Sequence, residues 1–354
     1  MEICSQLKVL YKIAEISRYN ISVFTGDERK FQEALKHFLI PKKILKILTL
    51  ALCHVDLGFK IFKVRNNDAI LIHGFSTEFL FLTIIASGFL KNKVYFLTHH
   101  NIQQAYQNHL IRILFRAYAN FGCRFIINED AGVLKHLGFT EIMVQRHATM
   151  LHPILDRSSE LSHITELITN GKTKTEKVLI GVIGRIRSGK KNQEIIEPLL
   201  SLKNKYNYDV LIGTDDLSSF KGFDSAAIRL VNTSTRPEYI KALSLCDIII
   251  LNYDKEKYFY RCSAVAADAV GLKTYVVCPD YPFLRNQLCF PAQVGTVFDH
   301  ENMEQAIQQA LNLVKNSQEL EFGEHYSIRS VETISQTLAQ KIESNIVGKR
   351  KKDD

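Results

Sequence analysis

The first candidate for chemistry is a basic, glycine-flanked stretch between an apolar run and a helical pattern. Residues 184–191 read Gly-Arg-Ile-Arg-Ser-Gly-Lys-Lys and follow the apolar run 178–183. A loop between a strand and a helix offers free backbone N–H groups, and Arg and Lys side chains add positive charge. The stretch therefore predicts a phosphate site, with a basic surface loop as the simpler alternative.

The same stretch differs from the ATP-binding P-loop pattern at one position. The P-loop has Ser or Thr after its Lys because that hydroxyl binds Mg²⁺, and here the position is Lys191. Asp215, after the apolar run "VLIGT", is the best candidate for an acidic partner of the metal. We favour a phosphate site that needs no metal and keep a P-loop NTPase as an alternative.

A second candidate is the segment 246–282, in which an aromatic loop separates a strand pattern from an apolar helical pattern. The strand pattern ends at Leu251, and Ser263 opens a helical pattern that stops at Gly271. Ser is a favoured N-cap and Gly a favoured residue after a helix. We expect this helix to begin with free N–H groups at residues 263–265.

These two stretches are expected to meet at one edge of a sheet. In parallel α/β sheets, ligands bind outside the carboxyl ends of the strands, where both loops would lie. The side chains of Arg185, Lys190 and Arg261 would then surround one site with the helix start at Ser263 and Ala264. Helix N-termini and cations together favour a diphosphate, without a metal or another cofactor. An ordinary helix cap is the simpler alternative for Ser263 alone.

The elements that must position these residues are strands alternating with helices. Short apolar runs rich in Ile and Val are separated by helix-length segments, which is typical of parallel sheets covered by helices on both faces. The predicted strands are 20–25, 69–73, 94–98, 124–128 and 141–144, then 177–183, 209–212, 228–231, 247–251, 274–278 and 295–298. We expect an α/β fold with two Rossmann-like domains facing a cleft.

A polar stretch, 156–177, interrupts this alternation and predicts a linker. The length of 354 residues suits two domains. We expect an N-terminal domain over residues 1–160, a second Rossmann-like domain over 175–325, and a C-terminal helix with a basic tail over 326–354.

The segment 41–64 has a largely apolar helical pattern with a narrow polar stripe. Polar residues recur at steps of three and four, from Lys46 through Thr49 and Cys53 to Lys63. Packing in the core with this stripe as the wet edge is the favoured interpretation. A helix lying on a membrane surface is the alternative.

Composition limits the partners and the compartment. The net charge of +8 favours anionic partners, which are nucleotides, anionic lipids or nucleic acid. The seven Cys are scattered without a Cys-x-x-Cys pair, which indicates reduced thiols in a cytoplasmic protein and no metal site. No signal peptide is expected, and no apolar stretch reaches the roughly 18 residues that a membrane span needs.

Several segments of the second half are similar to one known family. A strand pattern ends in Gly-Arg-x-x-x-x-Lys at residues 184–190, and "STRPEYIKALSLCDIIILNYD" and "AADAVGLKTYVVC" follow it. These segments resemble the nucleotide-sugar-binding domain of GT-B glycosyltransferases of the group-1, or family 4, class. In that class a Gly follows the Lys, and here Lys191 stands there. The resemblance implies that Arg185 and Lys190 hold the diphosphate of a sugar donor.

The loop before the second helix departs from the common pattern of this class. Most members carry two Glu eight positions apart, and here Tyr258 and Ala266 occupy those positions. The loop instead resembles a sub-branch with a Tyr-x-x-Arg-x-Ser-Gly pattern, in which Ala264 replaces the Gly. The donor-loop residues that the resemblance implies are Tyr253, Asp254, Tyr258, Arg261 and Ser263.

The first half resembles the acceptor domain of the same class more loosely. "DAILIHGFS" is similar to a strand ending in His-Gly, and "VYFLTHHN" is similar to a strand ending in Thr-x-His. The second match implies that His100 is catalytic and orients the transferred sugar or the acceptor. The class begins with a strand, whereas this chain begins with a helical pattern, so we expect either that the first strand is absent or that the start is truncated.

The resemblance implies a glycosyltransferase that moves a sugar from a nucleoside-diphosphate sugar to a saccharide or lipid-linked acceptor in surface polysaccharide synthesis. Similar members retain the anomeric configuration and need no metal. An anionic membrane surface is a further expected partner, and nucleic acid is not. The expected location is the cytoplasm, with peripheral attachment to the inner face of the plasma membrane. The alternatives are a non-catalytic nucleotide-binding GT-B scaffold and a P-loop NTPase or nucleic-acid-binding protein.

Overall fold

The computed structural model of the chain separates into two compact units. Unit 1 comprises residues 1–151 and 331–354, and unit 2 comprises residues 152–330. The described residues are 5–35, 41–89, 93–156, 177–220, 228–299, 301–316 and 321–353. Of the predicted linker, residues 157–176 lie outside them.

Unit 1 contains a parallel sheet of five strands whose spatial order, β1-β2-β3-β4-β5, follows the chain. Its strands are β1 (Ile21–Thr25), β2 (Ala69–His73), β3 (Val94–Leu97), β4 (Arg124–Asn128) and β5 (Ala148–Met150). Parallel strands are buried on both faces, which accounts for the continuous apolar sequence of β2 and β3.

Helices accompany these strands. They are α1 (Ser5–Ile16), α2 (Glu28–Leu35), α3 (Lys42–Lys63), α4 (Leu80–Ala86), α5 (Asn101–Gln107), α6 (His109–Phe121) and α7 (Glu141–Gln145), with 3₁₀ turns at Thr77–Phe79 and Ala131–Leu137. The C-terminal helix α15 (Val331–Asp353) belongs to this unit and packs with α1 on the sheet. The Ser17 hydroxyl, just after α1, donates to Glu343 of α15 over 2.7 Å.

Unit 2 contains a parallel sheet of six strands in the order β11-β10-β9-β6-β7-β8. Its strands are β6 (Val178–Ile183), β7 (Tyr208–Thr214), β8 (Ile228–Asn232), β9 (Ile248–Ile250), β10 (Tyr275–Pro279) and β11 (Gly295–Phe298). This is the doubly wound Rossmann order, in which the chain runs outward from a central strand in one direction and then in the other. The predicted α/β fold with Rossmann-like parallel sheets is confirmed.

The helices of unit 2 cover both faces of this sheet. They are α8 (Ile196–Leu202), α9 (Arg236–Leu245), α10 (Lys255–Tyr258), α11 (Ala264–Gly271), α12 (Pro282–Cys289), α13 (Met303–Lys315) and α14 (Phe322–Arg329), with 3₁₀ turns at Asn192–Ile195 and Leu217–Phe220. Helices α8 and α13 enclose the core on one face, and α9, α11 and α12 enclose it on the other. Local sequence sets the starts: Thr235 and Glu238 form a capping box at α9.

One predicted strand is wrong and one strand was missed. The segment 141–144 was expected to be a strand, and it lies in helix α7. The cause is local: the hydroxyl of Thr140 accepts a hydrogen bond from the Met143 N–H, and Glu141 stands in the first turn, so the short apolar run starts a helix. The strand β5 follows at Ala148–Met150.

Helix α3 presents the opposite side to the one that the sequence predicted. Thr49 and Cys53, which belong to the predicted wet edge, are 1% and 6% exposed, whereas Ile47 and Phe59 are 53% and 57% exposed. The interpretation of α3 as a core helix with one polar edge in water is therefore wrong. No helix among the described residues is long and apolar enough to cross a membrane.

Candidate phosphate-binding site

The topology of unit 2 brings two loops side by side. Strands β6 and β9 are neighbours although β7 and β8 lie between them in the sequence, so the chain order reverses here. The loop after β6, residues 184–191, and the loop after β9, residues 251–254, both start at the carboxyl ends of these strands. In open α/β sheets, ligands bind at such a reversal point. The two stretches that the sequence singled out therefore lie where a ligand is expected.

Backbone hydrogen bonds join the two loops. Lys190 and Tyr253 form an antiparallel bridge outside the sheet. The Lys191 N–H donates to the carbonyl of Asn252 over 2.9 Å, and the Asp254 N–H donates to the carbonyl of Gly189 over 2.8 Å. This pairing fixes the backbone that carries the predicted cation and the predicted aromatic donor loop.

Gly189 allows the loops to approach. Its φ is +89°, in the left-handed region that a side chain disfavours. A Cβ there would lie 2.7 Å from the Lys257 side chain and 3.1 Å from the ring of Tyr258. Gly189 is thus required both by its backbone angle and by the close approach of the second loop.

The ammonium of Lys190 is held inside this site. It lies 5.7 Å from the centroid of the Tyr253 ring. A Cβ at Gly184 would lie 3.0 Å from Lys190 Nζ and 3.7 Å from Val265, so the ammonium is close to the first turn of α11. Burial, reinforced by the nearby charge of Arg187, lowers the pKa of Lys190 to about 8. An ammonium that has lost water and faces other cations is stabilised by binding an anion.

A pair of stacked rings connects Lys190 to a second cation. The rings of Tyr253 and Tyr258 lie 4.4 Å apart at an angle of 21°. The guanidinium of Arg261 lies 4.6 Å from the centroid of the Tyr258 ring. Burial is the main cause that lowers the pKa of Arg261. The two predicted cations therefore share one aromatic support, which attracts each of them through its π face.

Ser263 caps α11 as predicted, but its own N–H is not available to a ligand. The Ser263 hydroxyl accepts a hydrogen bond from the Ala266 N–H over 3.1 Å and pairs with the Tyr253 hydroxyl at 2.9 Å. Its N–H donates to Gln287 Oε1 over 2.8 Å, and the Gln287 amide donates back to the Ser263 carbonyl over 3.1 Å. The expected free N–H at Ser263 is therefore wrong, because the buried side chain of Gln287 takes it.

The next two N–H groups, those of Ala264 and Val265, have no hydrogen-bond partner within the described part of the chain, and their role toward a phosphate stays a prediction. Ala264 is exposed. The helix α11 spans eight residues and points its N-terminal turn toward Lys190. Positive partial charge at a helix start adds to the field of the cations. These two N–H groups are the ones that could hold an oxygen of a phosphate.

Arg185 is placed by Asp215, the residue that the sequence suggested as a metal partner. The Asp215 carboxylate accepts a hydrogen bond from the Ile186 N–H over 3.1 Å and lies 3.9 Å from the guanidinium of Arg185. The following residue of the P-loop pattern, Lys191, lies 3.4 Å from the carboxylate of Glu194. These contacts position cations in a loop and do not form the hydroxyl–carboxylate pair that a P-loop uses for Mg²⁺.

Asp254 has a structural task in the donor loop. Its side chain accepts a hydrogen bond from the Glu256 N–H over 3.0 Å and caps the short helix α10, which carries Tyr258. Tyr281, which the sequence analysis did not single out, holds the same loop in place. Its hydroxyl donates to the carbonyl of Tyr253 over 2.6 Å. Gln287 and Tyr281 could have been noticed as polar groups on the apolar side of the amphipathic pattern around α12.

His100 lies in unit 1, at the start of α5, and is exposed. Its neighbour His99 forms a short contact with His73, with 3.0 Å between the two Nε2 atoms, and burial lowers the pKa of His73. Among the described residues, no group of three or more His, Cys, Asp or Glu is arranged to hold a metal ion. The catalytic role of His100 stays a prediction.

Comparison with known proteins concerns the fold. No protein-family model matches the chain, and no curated protein sequence matches it. Among solved structures, the chain is similar to the UDP-forming α,α-trehalose-phosphate synthase from Burkholderia xenovorans, with 12% identity and a TM-score of 0.61, over 96% of this chain and 85% of that one. It is also similar to the UDP-GlcNAc 2-epimerase from Neisseria meningitidis, solved with UDP-GlcNAc bound, with 11% identity and a TM-score of 0.58, over 95% of each chain.

A third similar structure is the N-terminal domain of the trehalose-6-phosphate phosphatase from Candida albicans, with 12% identity and a TM-score of 0.58, over 90% of this chain and 81% of that one. At such identities the similarity shows the fold, and the predicted GT-B fold is confirmed. The family 4 assignment and the Tyr-x-x-Arg-x-Ser sub-branch stay predictions.

Proposed function

We propose that the protein is a glycosyltransferase that moves a sugar from a nucleoside-diphosphate sugar to a saccharide or lipid-linked acceptor. The observation that carries this proposal is the ammonium of Lys190, which is partly buried near three Arg side chains and beside the first turn of α11. The one carboxylate that acts on it there, Asp215, offsets only part of this positive charge, so a bound anion would stabilise the site. A diphosphate suits this site, because it can contact Lys190, Arg261 and the N–H groups of Ala264 and Val265 with several oxygens.

The same groups provide electrostatic stabilisation of the transition state. As the bond between sugar and phosphate breaks, negative charge grows on the leaving diphosphate, and cations held in place before the reaction stabilise it. Lys190 and Arg261 stand on the rigid tyrosine pair, so little reorganisation is needed at that moment. We expect transfer without a bound metal and with retention of the anomeric configuration.

The remaining parts of the proposal concern the acceptor and the location. We assign to His100 the orientation of the transferred sugar or the acceptor, on the basis of its position after β3. We place the reaction in surface polysaccharide synthesis, in the cytoplasm, with attachment to the inner face of the plasma membrane. Nucleic acid is not a proposed partner, because the cations of the site lie around one position and suit a single small anion.

One observation favours a second function, a scaffold that binds nucleotides without turnover. The two positions that carry Glu in most similar transferases are Tyr258 and Ala266, which are 8% and 0% exposed. Tyr258 is engaged in the ring stack, so it cannot replace the carboxylate that contacts a sugar. The donor would then bind through its diphosphate and stay intact.

The experiment that tests the proposal is thermal stability against UDP, GDP, CDP, dTDP, ADP and ATP, each with and without Mg²⁺. A ligand at about a hundred times its Kd adds about 2.7 kcal/mol to the free energy of unfolding. We expect a metal-independent rise of the melting temperature with one diphosphate. The rise should vanish in Lys190→Ala and persist in the matched control Lys191→Ala, whose ammonium pairs with Glu194.

Other outcomes assign the alternatives. A rise only with ATP and Mg²⁺ contradicts the transferase site and supports a P-loop. A melting temperature that rises with none of the nucleotides contradicts both the transferase site and the P-loop. Once the base is known, release of the nucleoside diphosphate from the matching nucleotide sugars distinguishes the enzyme, which turns over slowly even with water as acceptor, from a scaffold that leaves the donor intact.

A further inference from the structure

Helix α3 exposes an apolar stripe along its outer side. The helix has 22 residues and is about 33 Å long. Ile44 at its first turn is 50% exposed and Phe62 at its last turn is 42% exposed. The members of this stripe recur at helical spacing: Ile44, Ile47, Leu48, Leu52, Phe59 and Phe62.

The neighbouring helix α4 extends this surface. α3 and α4 pack closely, since a Cβ at Gly58 would lie 2.5 Å from the Ala86 side chain. A Cβ at Gly88 would lie 3.3 Å from the ring of Phe62, so the stripe reaches the end of α4. Three large apolar residues are exposed on and after α4: Phe81, Ile85 and Phe89. We call these nine residues the apolar face.

The charges that α3 and the turn after it carry along the apolar face are almost all positive. Helix α3 and the turn after it carry Lys42, Lys43, Lys46, Lys60, Lys63 and Arg65. Asp56 is the one acidic residue in segment 41–65, and it is neutralised by Lys60 at 2.8 Å. The guanidinium of Arg65 lies 4.6 Å from the ring of Phe62, so a cation stands directly at the edge of the stripe. Apolar and basic groups thus occur on one surface.

We propose that the apolar face docks on an anionic lipid bilayer. An exposed patch with several large apolar side chains marks a surface that has a partner. Charge selects the partner: in a symmetric pair of chains this face would bring its own cations together, whereas anionic headgroups neutralise them. Phe59, Phe62 and Phe89 enter the boundary between headgroups and acyl chains, and Lys63 and Arg65 contact the headgroups.

This docking is independent of the donor site. The residues of the apolar face all belong to unit 1, whereas the cations that are proposed to hold the diphosphate belong to unit 2. A failure of nucleotide binding therefore leaves the docking untouched, and the reverse is also true. The docking would bring a lipid-linked acceptor to the enzyme by reducing its search to two dimensions.

The test is co-sedimentation of the full chain with vesicles, without any nucleotide. The probes are vesicles of phosphatidylcholine alone and vesicles in which about a third of the lipid is phosphatidylglycerol. We expect binding to the anionic vesicles and loss of much of it between about 0.1 M and about 1 M salt, because screening removes the headgroup contacts. Equal binding to both vesicle types would overturn the role of the basic border.

The variants locate the contact. Phe59→Ser with Phe62→Ser should weaken binding about tenfold for each ring, or about 1.4 kcal/mol each. Lys63→Gln with Arg65→Gln should weaken it about fivefold for each charge. The matched control is Ile142→Ser, on α7 of the same unit and 68% exposed, which should bind as the wild type does.

Two further measurements keep the result decisive. Circular dichroism and thermal unfolding check each variant, and if the Phe pair does not fold, Ile47→Ser with Leu48→Ser tests the same stripe. Light scattering gives the mass in solution. A wild type that is dimeric, becomes monomeric in the Phe59→Ser/Phe62→Ser variant and binds no vesicles would show a self-association surface and overturn the proposal. Absence of vesicle binding from a monomer would overturn it as well.

Discussion

The candidate phosphate-binding site of unit 2 and the apolar face of unit 1 differ in how they treat water: the first withdraws a charged group from it, and the second exposes apolar groups to it. In unit 2 the ammonium of Lys190 is drawn in among aromatic rings, and burial lowers its pKa. In unit 1 the ring of Phe59 is 57% exposed, while the polar side chain of Thr49 on the same helix is 1% exposed. Each arrangement costs free energy in the isolated chain.

This difference shows how candidate functional sites can be located from burial and charge. Local rules place charges in water and rings in the core, and natural proteins break them mainly at functional sites. A cation that has lost its water is stabilised by an anion, and a ring that has kept its contact with water is stabilised by an apolar partner. The two regions thus motivate the two proposed partners of different chemistry, a diphosphate and a lipid surface.

The largest expected effect tests which side of α3 is buried. Burial, and after it the nearby charge of Glu28, raises the pKa of the Cys53 thiol, so Cys53→Asp would bury a carboxylate that Glu28 also repels. We expect the free energy of unfolding to fall by about 3 kcal/mol or more. Phe59→Asp, on the exposed side, should cost about 1 kcal/mol or less. Urea denaturation at pH 7 measures both. Equal losses would mean that Phe59 is packed in the core and that the apolar face does not exist.

The sequence predicted most of the fold, for a physical reason. Strands of a parallel sheet are buried on both faces and therefore appear as continuous apolar runs, as in β3 and β9. Ten of the eleven predicted strands coincide with observed strands, with ends shifted by at most two residues. The error at 141–144 arose because a short apolar run suits a strand or a helix, and the side chain of Thr140 decides for the helix.

The sequence predicted which residue types form the candidate site, but it did not predict the contacts that hold them in place. Arg185 and Lys190 stand in the loop after β6, and Arg261 stands between α10 and α11 in the connection that follows β9; the topology brings these two connections together. Gln287 takes the Ser263 N–H across 24 positions of sequence, and no pattern in one sequence shows such a contact. The exposed side of α3 was missed because apolar residues occupy most of its circumference, so the few polar ones do not tell which side is wet.

The second effect tests whether the two loops must touch. Gly189→Ala would force a side chain into the left-handed region and toward Lys257 and Tyr258. We expect a loss of about 1–2 kcal/mol in unfolding free energy and a weaker thermal shift with the diphosphate. Gly323→Ala is the matched control, since a Cβ there meets nothing within 4 Å, and its helical position favours Ala. A Gly189→Ala variant that binds as the wild type does would show that diphosphate binding does not need the paired loops.

The smallest effect is the pH dependence of diphosphate binding. Because the pKa of Lys190 is lowered to about 8, its ammonium form declines as the pH rises through that value. Between pH 7 and pH 9 the affinity should therefore fall about tenfold, since only the charged form attracts the phosphate. In Lys190→Arg, which stays charged, binding should persist and lose this dependence.

The folding stability of the free protein should depend on pH in the opposite sense. The unfolded chain keeps the proton of Lys190 up to the ordinary pKa of 10.5, so Lys190 contributes a rise in the free energy of unfolding between about pH 8 and pH 10.5. Calorimetric titration at several pH values checks the affinity, and an affinity that is constant from pH 7 to pH 9 in the wild type would show that the ammonium of Lys190 does not contact the diphosphate.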